Sequence, residues 1–181
     1  MPFRFTPGPL DGIVVVNALC FADRRGSFTE TYRRSAFHDA GIMEDFSQDN
    51  VSVSARGVVR GLHFQTGAGA QHKLVSVVRG TAWDVAVDLR PQSPTRLRWF
   101  GMRMDGMDGA MLYIPAGFAH GFMALSQEVI LSYKCGPEYD AALDSGYRWD
   151  DPDIGIVWPD PGVPVVLSER DAALPLVRDL Y

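Results

Sequence analysis

Short apolar runs separated by turn residues organise this chain. Runs of β-branched and aromatic residues are interrupted every few positions by turns that contain glycine or proline. Candidate strands cover residues 13–16, 73–79, 81–89, 111–114 and 129–133. Strands of this length, with turn signals at about 8–12-residue spacing, are typical of an antiparallel sandwich or barrel. The pattern therefore predicts an all-β domain.

Alternation within two of these strands separates their faces. In the strand predicted over 73–79, Lys73 shares a face with two valines. The strand predicted over 81–89 has one apolar face, and its other face mixes alanines with Asp84 and Asp88. Such a face is either exposed to solvent or lines a polar cavity, as in the interior of a barrel. Asp84 is on this ground a candidate cavity carboxylate.

Helices are expected to be few, short and peripheral. Ser35 is a candidate N-cap for a helix that runs to Ala40 and is closed by Gly41. Ser168 begins a capping box, which predicts a last helix over 171–174. The C-terminal third is too rich in proline for central strands, so it is predicted to wrap the outside of the barrel.

Composition and charge narrow the class of protein. With 181 residues, 46% of them hydrophobic, the chain is predicted to form one domain over 1–181. The net charge of −5 and the absence of a basic stripe exclude nucleic-acid binding as the expected function, and any anionic ligand needs a local cationic pocket.

The two cysteines, Cys20 and Cys135, make no disulfide framework. Without a signal peptide or a membrane-spanning run, the expected location is the cytoplasm.

Charged and titratable residues interrupt an otherwise apolar region. The segment RGLHFQ brings Arg60 and His63 into a strand-like stretch, and Lys73 follows closely. The chain has 15 arginines and only two lysines, so Lys73 stands against a compositional preference for arginine. A single histidine in a strand is more often structural than catalytic. The combination of these three residues with a second glycine-flanked histidine, His120, favours a functional site.

The segment IPAGFAHGF contains the pattern P-x-G-x-x-H at Pro115, Gly117 and His120. This resembles the second motif of the cupin superfamily, whose members are small jelly-roll barrels of the double-stranded β-helix type. In many cupins this histidine binds a metal together with an H-x-H pair and a glutamate. Here His63 and His72 are nine positions apart, and no glutamate lies between residues 45 and 127. No metal site is therefore expected, because a metal needs three or four converging ligands.

An ordered set of longer motifs gives a closer resemblance. The segments DRRGSFTETY, SQDNVSVSARGVVRGLHFQ, QHKLVSVVRGTAWDVAVDLRPQSPT, YIPAGFAHGF, SYK and WDDPDIGIVWP are similar, in order, to the dTDP-4-dehydrorhamnose 3,5-epimerase family. The similarity extends from about residue 10 to residue 176. It implies a cofactor-independent, cupin-fold isomerase that acts on a nucleoside diphosphate 4-keto-6-deoxyhexose.

The reaction implied by the resemblance is deprotonation and reprotonation next to a ketone. His63 matches the general base, and Asp171 matches the carboxylate that orients it. Lys73 matches the group that stabilises the enolate oxygen, and Tyr133 matches the acid that protonates the opposite face. Three of these residues also have a purely structural alternative: a helix cap for Asp171, a salt bridge for Lys73 and an ordinary strand aromatic for Tyr133.

The resemblance also implies residues that bind the substrate. Arg60 matches a diphosphate contact, because guanidinium groups bind phosphate oxygens in bidentate fashion. His120 matches a residue near the sugar and phosphates. Gln48 and Asn50 match polar contacts to the nucleotide, although either could be an ordinary turn amide. Tyr139 matches the aromatic residue that stacks on the base.

Further contacts are implied at the ends of the chain. Asp144 and Arg170 align with positions where the family often has glutamate and lysine. Phe21, Arg25 and Glu30 match an arm that reaches the nucleotide of a neighbouring subunit. The resemblance therefore implies a homodimer, with the N-terminal arm, about residues 1–30, in the interface.

Three functions remain open from the sequence. The first is C3 and C5 epimerisation of dTDP-4-dehydro-6-deoxy-D-glucose to dTDP-4-dehydro-L-rhamnose. The second is epimerisation of one centre only, or of another nucleotide-linked 4-keto sugar in a specialised deoxysugar pathway. The third is a metal-binding or sugar-sensing cupin without catalysis. The chain departs from the family at Arg96-Leu97 and in the glycine-rich loop 67–69, and neither departure involves the predicted catalytic residues. The change in the loop could alter the rim of the pocket and therefore the choice of substrate.

Overall fold

Two antiparallel β-sheets packed face to face form the body of the protein. The computed structural model describes residues 2–106 and 108–179. The strands are β1 Phe3–Pro7, β2 Val14–Ala18, β3 Cys20–Asp23, β4 Gly26–Thr29, β5 Gln48–Ala55, β6 Val59–Gln65, β7 His72–Arg79, β8 Thr81–Asp88, β9 Trp99–Asp105, β10 Ala110–Ile114, β11 Phe118–Ala124, β12 Glu128–Gly136 and β13 Asp144–Gly146. The predicted all-β class is confirmed, and five predicted runs correspond to strands whose ends differ by a few residues.

The strand order is that of a jelly roll. One sheet has six strands in the order β1-β2-β10-β7-β12-β5, and the other has five in the order β13-β6-β11-β8-β9. Strands that follow each other along the chain often cross from one sheet to the other, so the two inner faces enclose a common interior. The hairpin β3–β4 forms a separate two-stranded sheet.

The core between the sheets explains why the strands alternate as they do. Val75 and Val77 of β7 pack with Ala82 and Ala86 of β8 in the central cluster. Burying one such valine contributes about 1.5–3 kcal/mol. The aspartate-bearing face of β8 is thus an interior face, since Asp84 is fully buried there.

Two further apolar clusters cover the outer faces of the sheets. Leu74 of β7 packs outside the six-stranded sheet with Phe37 and the N-terminal strands. Val85 of β8 packs outside the five-stranded sheet with Tyr147 and Ile154 from the C-terminal segment. The C-terminal third therefore wraps the barrel, as the proline content predicts. Both faces of the central strands are buried, so their sequences read as nearly continuous apolar runs.

The short helices differ in detail from the sequence prediction. Helix α1 spans Arg34–Asp39 and its N-cap is Arg33, with no side-chain cap, so the prediction of Ser35 as the cap is wrong. Gly41 follows the helix with a positive φ of 87°, which suits the closing position. Two 3-10 turns occur at Gly67–Gly69 and Val177–Asp179.

The last helix, α2, begins where the capping box predicts. It spans Glu169–Ala172 instead of 171–174, so its predicted range was wrong. The Ser168 hydroxyl accepts a hydrogen bond from the Asp171 backbone N–H at 3.0 Å. The cap therefore fixes the helix that carries Asp171. None of the described helices is long and apolar enough to cross a membrane.

Candidate active site

A cavity of about 270 Å³ opens between the two sheets. Ten of the residues predicted to act in catalysis or substrate binding line it: Gln48, Asn50, Arg60, His63, Lys73, His120, Tyr133, Tyr139, Asp144 and Arg170. These residues come from both sheets, from α2 and, for Tyr139, from the loop between β12 and β13. The fold thus brings together side chains that are up to 122 positions apart in the sequence.

The two sheets contribute different chemistry to the cavity. The five-stranded sheet contributes two imidazoles, His63 from β6 and His120 from β11, which are direct cross-strand partners. The six-stranded sheet contributes the ammonium group of Lys73 from β7 and the phenol of Tyr133 from β12. A flat ligand between the sheets would therefore meet imidazoles on one side and the phenol on the other.

A break in strand alternation places Arg60 and His63 in the same cavity. The residues are three positions apart, so regular alternation would turn them to opposite faces. The pairing of β6 with β11 shifts register between the His63 and Arg60 partners. Gly61 lies in this segment with a φ of 127°, and a Cβ there would stand 2.6 Å from the Cα of Gly121. The two glycines allow the strands to approach closely where the register changes.

His63 is held by a buried carboxylate. Its Nε2–H donates to Asp171 Oδ1 at 2.7 Å, and the Gly61 backbone N–H donates to Oδ2 at 3.3 Å. Burial opposes ionisation of Asp171, but the hydrogen bond and charge of His63, with help from Gly61 and Ser168, leave its pKa below the ordinary value. With Nε2 committed to Asp171, Nδ1 is the ring nitrogen that can accept a proton. Asp171 therefore takes part in the helix cap through its backbone N–H, which donates to Ser168, and orients His63 through its carboxylate.

Lys73 is buried in the same cavity and contacts the backbone of His63. Its Nζ donates to the backbone carbonyl of His63 at 3.4 Å. Burial lowers the pKa of Lys73, and the neighbouring Cys135, Asp84 and Asp144 oppose this effect only in part. No described residue makes a salt bridge to Lys73 within 4.0 Å, so the structural alternative of a strand-end ion pair is not realised. A desolvated cation of this kind interacts strongly with an anionic oxygen.

Tyr133 is half-buried and stays protonated near neutral pH. Burial raises the pKa of its phenol, the charge of Cys135 raises it further, and Arg60 acts in the opposite direction. The ring faces His120 with a centroid separation of 6.5 Å. The phenol can therefore donate a proton to a ligand in the cavity.

The mouth of the cavity carries a connected set of polar side chains. The Tyr139 hydroxyl donates to Asp144 Oδ2 at 2.9 Å, and the Arg170 guanidinium donates to the same oxygen. The Tyr139 backbone N–H donates to Gln48 Oε1 at 2.8 Å. Tyr139 remains about half exposed, so its ring is available for stacking. Arg60 lies near the mouth and donates to Ser54 Oγ at 3.0 Å.

Three predicted contacts do not line this cavity. Phe21 and Arg25 belong to the β3–β4 hairpin, where Arg25 pairs with Asp23 at 2.6 Å. Glu30 follows the hairpin and pairs with Arg33 at 3.1 Å. All three were assigned to the nucleotide of a neighbouring subunit, which a single chain does not test.

The sequence analysis missed six residues that line the cavity: Ser52, Phe64, Gln65, Gln71, Phe122 and Cys135. Strand parity could have found four of them, because Ser52, Gln65, Phe122 and Cys135 are each two positions from a predicted lining residue of the same strand. Cys135 accepts hydrogen bonds from the side-chain amides of Asn50 and Gln71, each at 3.5 Å. Burial raises the pKa of its thiol.

The alternative of a metal-binding cupin finds no support in the geometry. His72 does not line the cavity: its Nε2–H donates to the Asp45 backbone carbonyl at 3.0 Å, and its ring packs on Phe46. It is therefore separated from His63 and His120. Within residues 2–106 and 108–179, no three His, Cys, Asp or Glu side chains are grouped so that they could hold a metal ion.

Comparisons with known proteins show which family this sequence and fold resemble. A dTDP-4-dehydrorhamnose 3,5-epimerase of Methanothermobacter thermautotrophicus is 48% identical over 170 residues, which cover 93% of this chain and 91% of the relative. A dTDP-6-deoxy-D-glucose-3,5-epimerase of Legionella pneumophila, in complex with dTDP-4-keto-L-rhamnose, superposes with a TM-score of 0.93 at 38% identity, covering 97% of this chain and 93% of that one. ChmJ, a 3'-monoepimerase of Streptomyces bikiniensis, superposes with a TM-score of 0.89 at 34% identity, covering 95% and 87% of the two chains.

The fold and the cavity define a cupin-type jelly-roll protein of the epimerase class. The model of one family, described as dTDP-4-dehydrorhamnose 3,5-epimerase, matches residues 7–179. This chain belongs to the dTDP-4-dehydrorhamnose 3,5-epimerase family, whose members are isomerases of dTDP sugars. The resemblance inferred from the sequence motifs is confirmed, and so is the predicted jelly-roll fold.

Proposed function

We propose that this protein epimerises C3 and C5 of dTDP-4-dehydro-6-deoxy-D-glucose, giving dTDP-4-dehydro-L-rhamnose. The observation that carries the proposal is the placement of His63 and Tyr133 on opposite sheets around one cavity, with Lys73 beside His63. Inversion of a carbon requires a base on one face of the sugar ring and an acid on the other. The sandwich supplies these two groups from its two walls.

The ketone at C4 makes the hydrogens on C3 and C5 acidic. Nδ1 of His63 removes one of these protons, and the electron pair of the C–H bond moves into an enolate whose charge rests on the C4 oxygen. Lys73 stabilises that oxygen, since a desolvated cation is most effective where charge develops. The Tyr133 hydroxyl then delivers its proton to the opposite face of the carbon, which restores the ketone with inverted stereochemistry.

Asp171 supports this cycle through His63 and does not need to contact the sugar. It keeps the proton of the imidazole on Nε2 and balances the positive charge that arises when Nδ1 is protonated. A fixed tautomer and a nearby carboxylate are what a histidine base requires.

The remaining predicted residues suit the nucleoside diphosphate. Arg60 and Arg170 provide guanidinium groups at the mouth, where the diphosphate would leave the cavity. Tyr139 offers an exposed aromatic face to the base, and Gln48 and Asn50 offer amides to its polar edge. His120 lies between these groups and the sugar position. Binding through the nucleotide would orient the hexose between the two walls.

Inversion at both carbons is favoured over inversion at one. The relative of 48% identity is a 3,5-epimerase, whereas the 3'-monoepimerase is 34% identical. A shared fold does not separate these reactions, so the sequence similarity and the complete set of base, acid and cation support the two-centre reaction together.

A homodimer would complete the nucleotide site. The hairpin exposes Phe21 and Phe28, and the edge strand β5 exposes Val51 and Val53 on its outer face. Exposed apolar side chains of this kind favour association. In a dimer, Arg25 of one subunit could reach the nucleotide of the other. Light scattering should give twice the 20.0 kDa mass of the chain, and a stable monomer would contradict the assignment of Phe21, Arg25 and Glu30.

A reducing cytoplasmic location also fits the protein. Cys20 is exposed and Cys135 is buried, and neither forms a disulfide in the described part of the chain. Thiols of this kind persist in reducing compartments. The nucleotide-sugar substrate of the proposed reaction would be found there as well.

The product identifies the reaction. Purified protein is incubated with dTDP-4-dehydro-6-deoxy-D-glucose, and the sugar configuration is read by proton NMR. Inversion at C3 and C5 supports the proposal, and inversion at one carbon alone assigns the protein to the mono-epimerases. The His63→Ala variant controls for uncatalysed epimerisation, and its circular dichroism spectrum controls for folding.

A further inference from the structure

A second imidazole–carboxylate pair lies in the wall of the cavity. The Nε2–H of His120 donates to Asp84 Oδ2 at 2.8 Å, and both side chains are buried. The other oxygen of Asp84 is buried and has no hydrogen-bond partner in the described residues. A buried carboxylate with a single partner calls for an explanation. The proposed steps of the epimerisation at a single carbon give Asp84 no role.

Two successive inversions require a proton transfer between the catalytic groups, which such a pair can mediate. After the first inversion, the proton from the sugar carbon resides on His63, and Tyr133 has become a phenolate. The second inversion needs a neutral imidazole and a protonated phenol again. One proton must therefore move from His63 to Tyr133 while the singly inverted sugar remains bound.

His120 adjoins both of these groups. It is the direct cross-strand partner of His63, and such partners have Cβ atoms about 4.5–5.5 Å apart. Its ring centroid lies 6.5 Å from that of Tyr133, so the two rings are near enough for a proton to pass between their polar atoms directly or through one water molecule. Because Nε2 is engaged by Asp84, Nδ1 is the nitrogen that can accept a proton and release it again.

We propose that His120, positioned by Asp84, returns the proton from His63 to Tyr133 between the two inversions. The imidazolium of His63 gives up its Nδ1 proton to Nδ1 of His120, and His120 then releases a proton from the same nitrogen to the phenolate of Tyr133. All three groups then regain their starting forms, so protons and charge balance. Asp84 stays ionised and compensates the transient positive charge on His120. His120 is a catalytic residue in this relay and Asp84 is a positioning residue.

The relay rests on the proposed epimerisation and predicts a specific defect. In a single turnover with protein in excess over dTDP-4-dehydro-6-deoxy-D-glucose, quenched samples report the singly and doubly inverted sugars. For Asp84→Asn and His120→Gln, the rate of the second inversion relative to the first should fall about tenfold, and the singly inverted sugar should accumulate. Imidazole added to the buffer should restore the second step in a His120→Ala variant.

Asp88→Asn is the matched control, because Asp88 is also a buried carboxylate on the same face of β8 but pairs with Arg90. It should leave the ratio of the two rates at the wild-type value. Equal slowing of both inversions in Asp84→Asn and His120→Gln would overturn the relay while leaving the epimerase assignment intact. A wild-type protein that inverts neither carbon would instead overturn the proposed function, and the relay with it.

Discussion

His63 and Tyr133 face the same cavity from opposite sheets of the sandwich. His63 is supplied by β6 of the five-stranded sheet, and Tyr133 by β12 of the six-stranded sheet. A jelly roll is well suited to inversion at carbon, because its two inner walls approach a bound ring from opposite faces.

Replacement of Asp171 should impair the base without removing it. Asp171→Asn is expected to lower kcat roughly 10²-fold or more, the scale of general acid–base catalysis, because the tautomer and charge of His63 are no longer fixed. KM should change little, since Asp171 does not line the cavity. Steady-state kinetics measure both constants. An unchanged kcat would contradict the dyad.

The same carboxyl group makes folding stability depend on acid pH. The pKa of Asp171 in the folded state is below its ordinary value of 3.8, so its stabilising contribution is present above that value. This contribution is lost as the pH falls through the folded pKa. Denaturant titrations of wild type and Asp171→Asn should therefore show a difference in the free energy of unfolding that shrinks as the pH is lowered below 4.

Lys73 should contribute to catalysis at a cost in stability. Lys73→Met is expected to lower kcat by about 10²–10³-fold through loss of the cation at the enolate oxygen. Burial lowers the pKa of Lys73 in the folded state, so the unfolded chain binds this proton more tightly, and stability rises with pH up to the ordinary value of 10.5. The variant should be more stable than wild type at neutral pH and should lack this alkaline rise. A less stable, fully active variant would contradict both roles.

Tyr139 should contribute to nucleotide affinity and not to proton transfer. Tyr139→Ala is expected to weaken binding of dTDP by about 1–3 kcal/mol, the scale of base stacking on an aromatic ring. Tyr139→Phe keeps the ring and loses only the hydrogen bond to Asp144, so it should bind nearly as wild type. Calorimetric titration with dTDP compares them. Equal losses in the two variants would locate the effect in the hydroxyl group and contradict stacking.

A loop far from the proposed chemistry depends on one buried carboxylate. Asp88 accepts hydrogen bonds from the side chains of Arg90, Ser93 and Thr95, and these donors leave its pKa well below the ordinary value although burial opposes this. Asp88→Asn should lower the free energy of unfolding by about 3 kcal/mol at neutral pH.

The surface variant Glu128→Gln is the control for Asp88→Asn, because its ion pair with Arg79 is exposed. It should change the free energy of unfolding by less than about 1 kcal/mol. Urea titrations monitor both variants. Similar effects of the two substitutions would show that the buried hydrogen bonds of Asp88 contribute no more to the free energy of unfolding than an exposed ion pair does.

The sequence predicted the parts of the fold that strand alternation governs. The grouping of Lys73 with the core valines on one face of β7 followed from parity alone. Parity also gave the interior side of β8 as one of two alternatives for Asp84, but Asp84 is fully buried behind His120 and does not itself line the cavity. Parity could not place Arg60 and His63 together, because the register shift next to Gly61 depends on the neighbouring strand. Local patterns also misplaced the N-cap of α1.

Strand patterns did not predict the long-range pairs of the site: only the resemblance to the family implied the pair of Asp171 and His63, and the pair of His120 and Asp84 was not predicted. Asp171 and His63 are 108 positions apart, and no periodicity links a helical turn at the C-terminus with a strand in the first half of the chain. His120 and Asp84 are likewise 36 positions apart. The pairs form because α2 packs against β6 and because β8 and β11 are adjacent, which are properties of the topology.

Hydrogen exchange and inversion, measured together, test the central claim most directly. In D₂O, proton NMR follows entry of deuterium at C3 and C5 and the configuration of each carbon. Wild type should exchange and invert both carbons. Tyr133→Phe should still exchange by way of His63 but invert far more slowly, and His63→Ala should do neither. A Tyr133→Phe variant that inverts as fast as it exchanges would contradict the assignment of acid and base to opposite walls.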